Sequence, residues 1–255
     1  MTDEVLVTVT DHIAEIVLNR PQKHNAVTRE MAAKLQEICI NVDKDDAVRV
    51  VLIKGAGERA FSSGSDLNAL AQYPSAWAFR NRVVYENVVR NIRKPVIAAL
   101  KGWVLGGGGE MALAADIRVA GRSTKIGFPE VTRGWVGGGG ASQMLPRLVG
   151  YGQAMRLLMT GEPIGAEEAF RLGLVEYLVD DAEVEGTARA LCQKLVAFSP
   201  VALQSVKASV RMALSSSLEA GLRYENDMNT LCFSAGDHME GIKAFNEGRA
   251  AEFKR

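Results

Sequence analysis

The stretch Pro95-Val96-Ile97-Ala98-Ala99-Leu100, followed by Gly106-Gly107-Gly108-Gly109-Glu110-Met111-Ala112-Leu113-Ala114-Ala115 and then Ile117-Arg118-Val119-Ala120, decides the fold class. Val96 to Leu100 is a short, wholly apolar run, the pattern of a strand buried on both faces. The glycines punctuate the chain. Glu110 to Ala115 reads as a helix, and Ile117 to Ala120 as another strand. Strand, glycine turn, helix and strand in this order are the signature of an α/β layer structure.

The same alternation extends outward. Val5 to Val9 and Ile13 to Leu18 read as two strands around the turn Thr10-Asp11-His12. Thr28 to Val42 has helical spacing, with Met31, Leu35 and Ile38 on one face and Thr28 as N-cap. Val48 to Ile53 is a β-branched run that suggests a buried strand, and the small-residue loop Phe61-Ser62-Ser63-Gly64-Ser65-Asp66 leads into helical sequence. Beyond about Asp181 the strand signals stop. Val184–Phe198, Val201–Leu214, Leu218–Phe233 and His238–Glu247 all look helical, punctuated by Ser199-Pro200 and Ser234-Ala235-Gly236. The expected organisation is an α/β core over 1–181 and a helical region over 182–255.

The chain has 255 residues, 47 % apolar and 24 % charged, and its 30 basic side chains balance its 30 acidic ones. That composition belongs to a globular protein with a real core and argues against disorder. A nucleic-acid binder carries a basic excess or stripe, and Lys and Arg are not clustered here. Cys39, Cys192 and Cys232 are scattered, without zinc or disulfide spacing, which fits a reducing compartment. Met1 to Ile13 mixes acids with alternating polar residues, unlike a signal peptide. No 18-residue apolar run suggests a membrane span. The expectation is a soluble, cytoplasmic protein without nucleic-acid, membrane or metal partners.

Two glycine clusters, Gly106–Gly109 and Gly137–Gly140, are candidate functional loops. Neither fits the dinucleotide pattern, because the last required glycine is Met111, Ala112 or Ser142, and neither has the lysine of a P-loop. One reading is that glycine merely allows close backbone packing or positive φ. The other is that Gly106–Gly109, at a strand-to-helix turn, presents free N–H groups at a helix N-terminus, where they can hold a developing oxyanion. The loop Ser63-Gly64-Ser65-Asp66 has the same setting, and two such loops side by side would supply two converging donors. Glu110 and Glu130 are acids in apolar surroundings, each near a glycine cluster. One such acid is commonly structural, but two in a dry site can be driven to different pKa values and divide acid and base work. His12, His24 and His238 have no partner at metal or triad spacing. Trp103 and Trp135 flank the glycine loops as core or pocket wall.

These residues carry a resemblance. Ile16-Val17-Leu18-Asn19-Arg20-Pro21 with Asn25-Ala26, Ala60 to Leu67, Lys94 to Ala99, Leu105 to Glu110, Ala115 to Ala120, Gly127-Phe128-Pro129-Glu130, Leu145 to Gly150, Thr160-Gly161 and Gly173-Leu174-Val175 occur in an order and spacing that resembles the crotonase superfamily, the enoyl-CoA hydratases and isomerases. The resemblance covers nearly the whole chain. It implies a spiral of ββα units followed by a helical oligomerisation region, and a homotrimer or dimer of trimers. It implies an oxyanion hole made by the backbone N–H groups of Ser65 and Gly107, and Glu110 and Glu130 as the catalytic acids. It also implies coenzyme A bound around Gln22, Lys23 and His24 and around Ser63, Asp66, Leu67 and Asn68, with Lys254 meeting the adenine end in a neighbouring subunit.

The implied reaction is hydration of 2-enoyl-CoA to 3-hydroxyacyl-CoA, or the reverse. No cofactor is required, since coenzyme A is part of the substrate. In that reading Glu110 activates water and Glu130 delivers a proton to C2. A double-bond isomerase needs only one carboxylate, and a non-catalytic acyl-CoA binder has no use for two. There are departures: where the family has Pro-Gly-x-Gly-Gly-Thr-Gln, this chain has Gly137-Gly138-Gly139-Gly140-Ala141-Ser142-Gln143, with Gly137 for the proline and Ala141 for a glycine. Ser65 stands where alanine is usual.

Overall fold

The first hairpin shows how local chemistry sets the frame. Strand β1 (Val5–Thr10) pairs antiparallel with β2 (Ile13–Leu18), and Asp11 and His12 both take left-handed φ values of 51° and 63°. Two such residues in a two-residue loop match the right-handed twist of the flanking strands. The computed structural model describes residues 3–253.

From there the chain winds as a spiral. The remaining strands are β3 (Val50–Gly55), β4 (Ala60–Ser62), β5 (Val96–Leu100), β6 (Trp103–Leu105), β7 (Ile117–Gly121), β8 (Lys125–Gly127), β9 (Ile164–Gly165) and β10 (Tyr177–Val179). The large sheet has the order β1-β2-β3-β5-β7-β10 and the small one β4-β6-β8-β9. Thus β3, β5 and β7 each enter the large sheet and are followed at once by β4, β6 and β8 in the small sheet. Apart from the β1–β2 and β8–β9 pairs, all pairings are parallel. The ββα spiral is therefore explicit in the topology. The small sheet starts in the stretch 61–66 that was expected to be loop and otherwise occupies segments the sequence left unassigned, because strands of two or three residues have no room to show alternation.

The large sheet is covered on both faces, and its residues divide with period two. Val51, Ile53, Ala98 and Leu100 join Leu35 and Ile38 of the helix Arg29–Lys44 and Met111 of the helix Gly107–Ala114. Val50, Leu52 and Ile97 face Val184, Ala188 and Cys192 of the helix Val184–Val196. Each large aliphatic side chain so buried contributes about 1.5–3 kcal/mol. Thr28 caps its helix as expected, accepting from the Met31 N–H.

Beyond the helix Val184–Val196 come Pro200–Ala213, Leu218–Ala235 and Asp237–Glu247, within two residues of the sequence-derived bounds. Lys207 and Arg211 pair with Asp116, whose Oδ2 also accepts from the Val96 N–H, and this ties the first of the three to the sheet. These last helices turn large apolar side chains outward, from 49 % exposed at Leu231 to 85 % at Phe245. No helix among the described residues is long and apolar enough to cross a membrane.

Candidate active site

The first glycine cluster is built by what presses against it. Gly106, at φ 55°, follows β6 and caps the helix Gly107–Ala114. A Cβ on Gly108 would lie 2.3 Å from the Ser62 carbonyl oxygen, and one on Gly109 would lie 2.8 Å from the Phe128 ring. The glycines thus let the helix start against β4. The helix begins at Gly107, earlier than the sequence suggested, so the Gly107 N–H lies in the first turn and has no intrahelical acceptor.

The loop after β4 lies beside it. Gly64, at φ 86°, leaves a Cβ position only 2.8 Å from the Gly107 nitrogen. Ser65 bridges to Val27, and its Oγ is 3.1 Å from the Tyr85 hydroxyl. The structure therefore brings Ser65 and Gly107 together, on adjoining loops that open into one cleft of about 990 Å³.

Glu110 is 2 % exposed and lines that cleft. Its Oε1 accepts from the Gly139 N–H at 2.9 Å, in the second glycine cluster, and from the Ala141 N–H at 3.0 Å, directly after it. The departures from the family pattern acquire a structural account here. A Cβ on Gly137 would lie 2.6 Å from Glu110 Oε1, so the carboxylate fills the space a side chain would take. Ala141 acts through its backbone.

Glu130 sits in the turn Pro129–Arg133 and lines the same cleft; its Oε1 is 3.3 Å from a Cβ position on Gly106. Burial, with the charge of Glu110 adding to it, raises the Glu130 pKa; its own backbone N–H and Arg133 oppose this. The cleft thus brings together the two acids and the two glycine clusters.

The mouth of the cleft is held by buried polar contacts. Asn25, fully buried at φ 54°, donates to the Ala56 and Ala60 carbonyls and accepts from the Arg20 N–H. The Ser63 N–H donates to the His24 carbonyl, so the turn Pro21–Lys23 and the loop after β4 form one rim. Lys23, Ser63, Asp66, Leu67 and Asn68 line the cleft, whereas Gln22 and His24 do not. The Asp66 side chain is engaged locally: it caps the turn Leu67–Leu70 and pairs with Arg20 at 2.7 Å, which with burial opposing leaves its pKa lowered. Lys254 lies outside the described residues.

Among the cleft residues that the sequence did not single out are Tyr85, Glu86 and Arg82. Tyr85 and Glu86 open the helix Tyr85–Arg90, and Arg82 precedes it. The missed signal was a glutamate three residues before Val89, on the face that buries Tyr85 and Val89. A Cβ on Gly107 would lie 2.0 Å from the Tyr85 hydroxyl and 2.6 Å from Glu86 Oε1. Burial holds the Tyr85 phenol protonated well beyond its usual range.

The family described as Enoyl-CoA hydratase/isomerase has a model that matches residues 8–255. The chain belongs to this family. It is 33 % identical to a short-chain-enoyl-CoA hydratase of Clostridium acetobutylicum, over 94 % of this chain and 93 % of that one. A crotonyl-CoA hydratase of Syntrophomonas wolfei is also 33 % identical, over 98 % of both chains. Among solved structures, an enoyl-CoA hydratase from Bacillus anthracis superposes with a TM-score of 0.94 at 34 % identity, covering 99 % of each chain. The crotonase-type spiral expected from the sequence is the fold found.

Proposed function

We propose that this enzyme adds water across the double bond of 2-enoyl-CoA thioesters to give 3-hydroxyacyl-CoA, or removes it in reverse, with Glu110 and Glu130 as the acid and base. The observation that carries the reading is the convergence of both glutamates, from different turns of the spiral, on the cleft that Gly107 and Ser65 also line. In the proposed reaction the N–H groups of Ser65 and Gly107 polarise the thioester carbonyl and take up the negative charge that develops on its oxygen. Glu110 accepts a proton from water as its oxygen bonds to C3. Glu130 gives a proton to C2. The atoms balance with water alone, so coenzyme A enters as part of the substrate and no metal or other cofactor is needed.

The loop Ser63 to Asn68 with Lys23, Gln22 and His24 is proposed to hold the coenzyme A moiety, with Lys254 of a neighbouring subunit at its adenine end. The exposed apolar side chains on the last three helices support a homotrimer or dimer of trimers, built on the helical region after residue 181. A sedimentation mass of one chain would overturn the assembly. A cytoplasmic site of action is proposed on the sparse, unpaired cysteines.

Incubation with crotonyl-CoA tests the activity through the loss of enoyl-thioester absorbance. Turnover supports the hydratase. Migration of the double bond in a 3-enoyl-CoA without hydration would favour the isomerase.

A further inference from the structure

Glu86 is a third glutamate in the cleft, and the two-glutamate mechanism gives it no task. It is 5 % exposed. Its Oε1 lies 2.6 Å from the Cβ position of Gly107. On its other side, a Cβ on Gly139 would lie 2.5 Å from Glu86 Cδ and 2.8 Å from Glu110 Oε2, which makes the two carboxyl groups neighbours across Gly139. Two buried carboxylates that are neighbours do not both ionise readily, and one of them is favoured in its protonated form. The two are not equivalent. Glu110 Oε1 has two backbone N–H donors, the environment that suits a charged carboxylate. Glu86 packs between Gly107 and Gly139, with Tyr85 on its own helix and Arg82 ahead of it.

We propose that Glu86 is a positioning residue: it carries the proton that it shares with Glu110, directs its O–H toward the Glu110 carboxylate, and so keeps Glu110 oriented as a base while placing no negative charge beside Gly107. The second effect matters for the oxyanion. An ionised Glu86 would stand next to the N–H that takes up negative charge on the thioester oxygen and would oppose it. The groups facing Glu86 agree. Burial first, and the charge of Glu110 second, push its pKa up to about 8, against its own backbone N–H, Tyr85 and the more distant Arg82. The acid is neutral below that value and gains charge as pH rises through it. The catalytic consequence rests on the hydratase reading; the shared proton does not.

The test uses the full chain and two variants. In Glu86→Gln the side chain keeps its shape and a donor but cannot ionise. In Glu86→Leu it keeps neither donor nor acceptor. The parent's kcat for crotonyl-CoA is expected to fall as pH rises through about 8, and Glu86→Gln is expected to lose that fall. Glu86→Leu is expected to lose about tenfold or more in kcat, the scale of a hydrogen bond to a charged group, with KM little changed and with glutamine partly rescuing the loss. Infrared spectra at pH 7 are expected to contain a protonated-carboxyl band that disappears in Glu86→Gln. The proposal is overturned if that band is unaltered, if Glu86→Gln keeps the alkaline fall, or if Glu86→Leu turns over at the parent rate. If the parent does not hydrate crotonyl-CoA while the band still vanishes in Glu86→Gln, the hydratase reading fails and the shared proton is supported.

Discussion

The two glycine clusters look alike in sequence and do different work. In Gly106–Gly109 all four residues are buried, and beyond the side chains at Gly106 and Gly107 the close neighbours are the framework: the Ser62 backbone behind Gly108 and the Phe128 ring behind Gly109. In Gly137–Gly140 the close neighbours are the ends of side chains, Glu110 at Gly137, Arg82 at Gly138, Glu86 and Glu110 at Gly139 and Met144 at Gly140. The first cluster is scaffold, where absent side chains let a helix start against a strand. The second is a moulded wall, where absent side chains leave room for carboxyl groups. The same residue type therefore marks packing in one place and the shape of a reaction chamber in the other, and only the identity of the neighbour separates them.

The comparison would break most plainly at the acids between the clusters. Glu110 follows the first and is held by the second, while Glu130 precedes the second and has its carboxyl beside the open Cβ position of Gly106 in the first. Glu110→Gln and Glu130→Gln are each expected to lower crotonyl-CoA hydration by at least ~10²-fold, the low end for a positioned acid or base, with the fold and ligand binding intact. The double variant is expected to lose far less than the product, because groups that act as a unit are not additive. Steady-state rates of the three variants check this. A near-normal Glu110→Gln beside a crippled Glu130→Gln would move the assignment toward the isomerase.

A smaller effect separates scaffold from wall directly. Gly108→Ala sets a Cβ 2.3 Å from a backbone oxygen that cannot move aside, so its cost falls on stability, ~3 kcal/mol at the upper end for overpacking. In a chain of this size that lowers Tm by about 6 °C or more. Gly139→Ala meets only Glu86 and Glu110 side-chain atoms, so it is expected to displace the acids, with kcat down about tenfold, as for a lost hydrogen bond to a charged group, and a stability change under about 1 kcal/mol. Thermal melts and kcat for both variants decide it. Equal losses of Tm would mean that the clusters are one kind of loop after all.

How far the sequence disclosed this arrangement follows from the range of each signal. The strands β3 and β5 were legible because a strand buried on both faces writes a continuous apolar run, and β7 from its place after the glycine turn and helix, although Arg118 interrupts its apolar residues. The last four helices were legible from their spacing and punctuation. The small sheet was not, since β4, β6 and β8 have three residues each and their pairing is decided by the turn of the spiral rather than by local pattern. Glu110 and Glu130 stood out because their immediate sequence neighbours are apolar. Glu86 did not, because Asn87 and Arg90 give its short helix the look of an exposed one. Its burial comes from Gly107 and Gly139, distant in sequence. The glycines themselves were visible, but Ser62 and Phe128, which require two of them, were not. The coenzyme A positions came with the family resemblance, and Asp66, one of them, spends its side chain on a helix cap and on Arg20.

A third glycine, outside both clusters, sharpens the contrast at its smallest scale. Gly150 joins the helices Ala141–Val149 and Tyr151–Thr160 at φ 79°, and a Cβ there would meet nothing within 4 Å. Neither packing nor a carboxyl group requires glycine at this joint. Only the backbone does, since φ 79° with ψ 162° is a region that essentially only glycine adopts, and a residue with a Cβ there costs roughly 1–3 kcal/mol. Gly150→Ala is therefore expected to lower Tm by at least about 2–4 °C, and its kcat for crotonyl-CoA is expected to match the parent's. A melt and one saturating rate measurement are sufficient. An unchanged Tm would mean that the joint relaxes to negative φ. A fall in kcat would mean that the helix carrying Ala141, whose N–H holds Glu110, moves with the joint. The moulded wall would then extend further along the chain than the second glycine cluster.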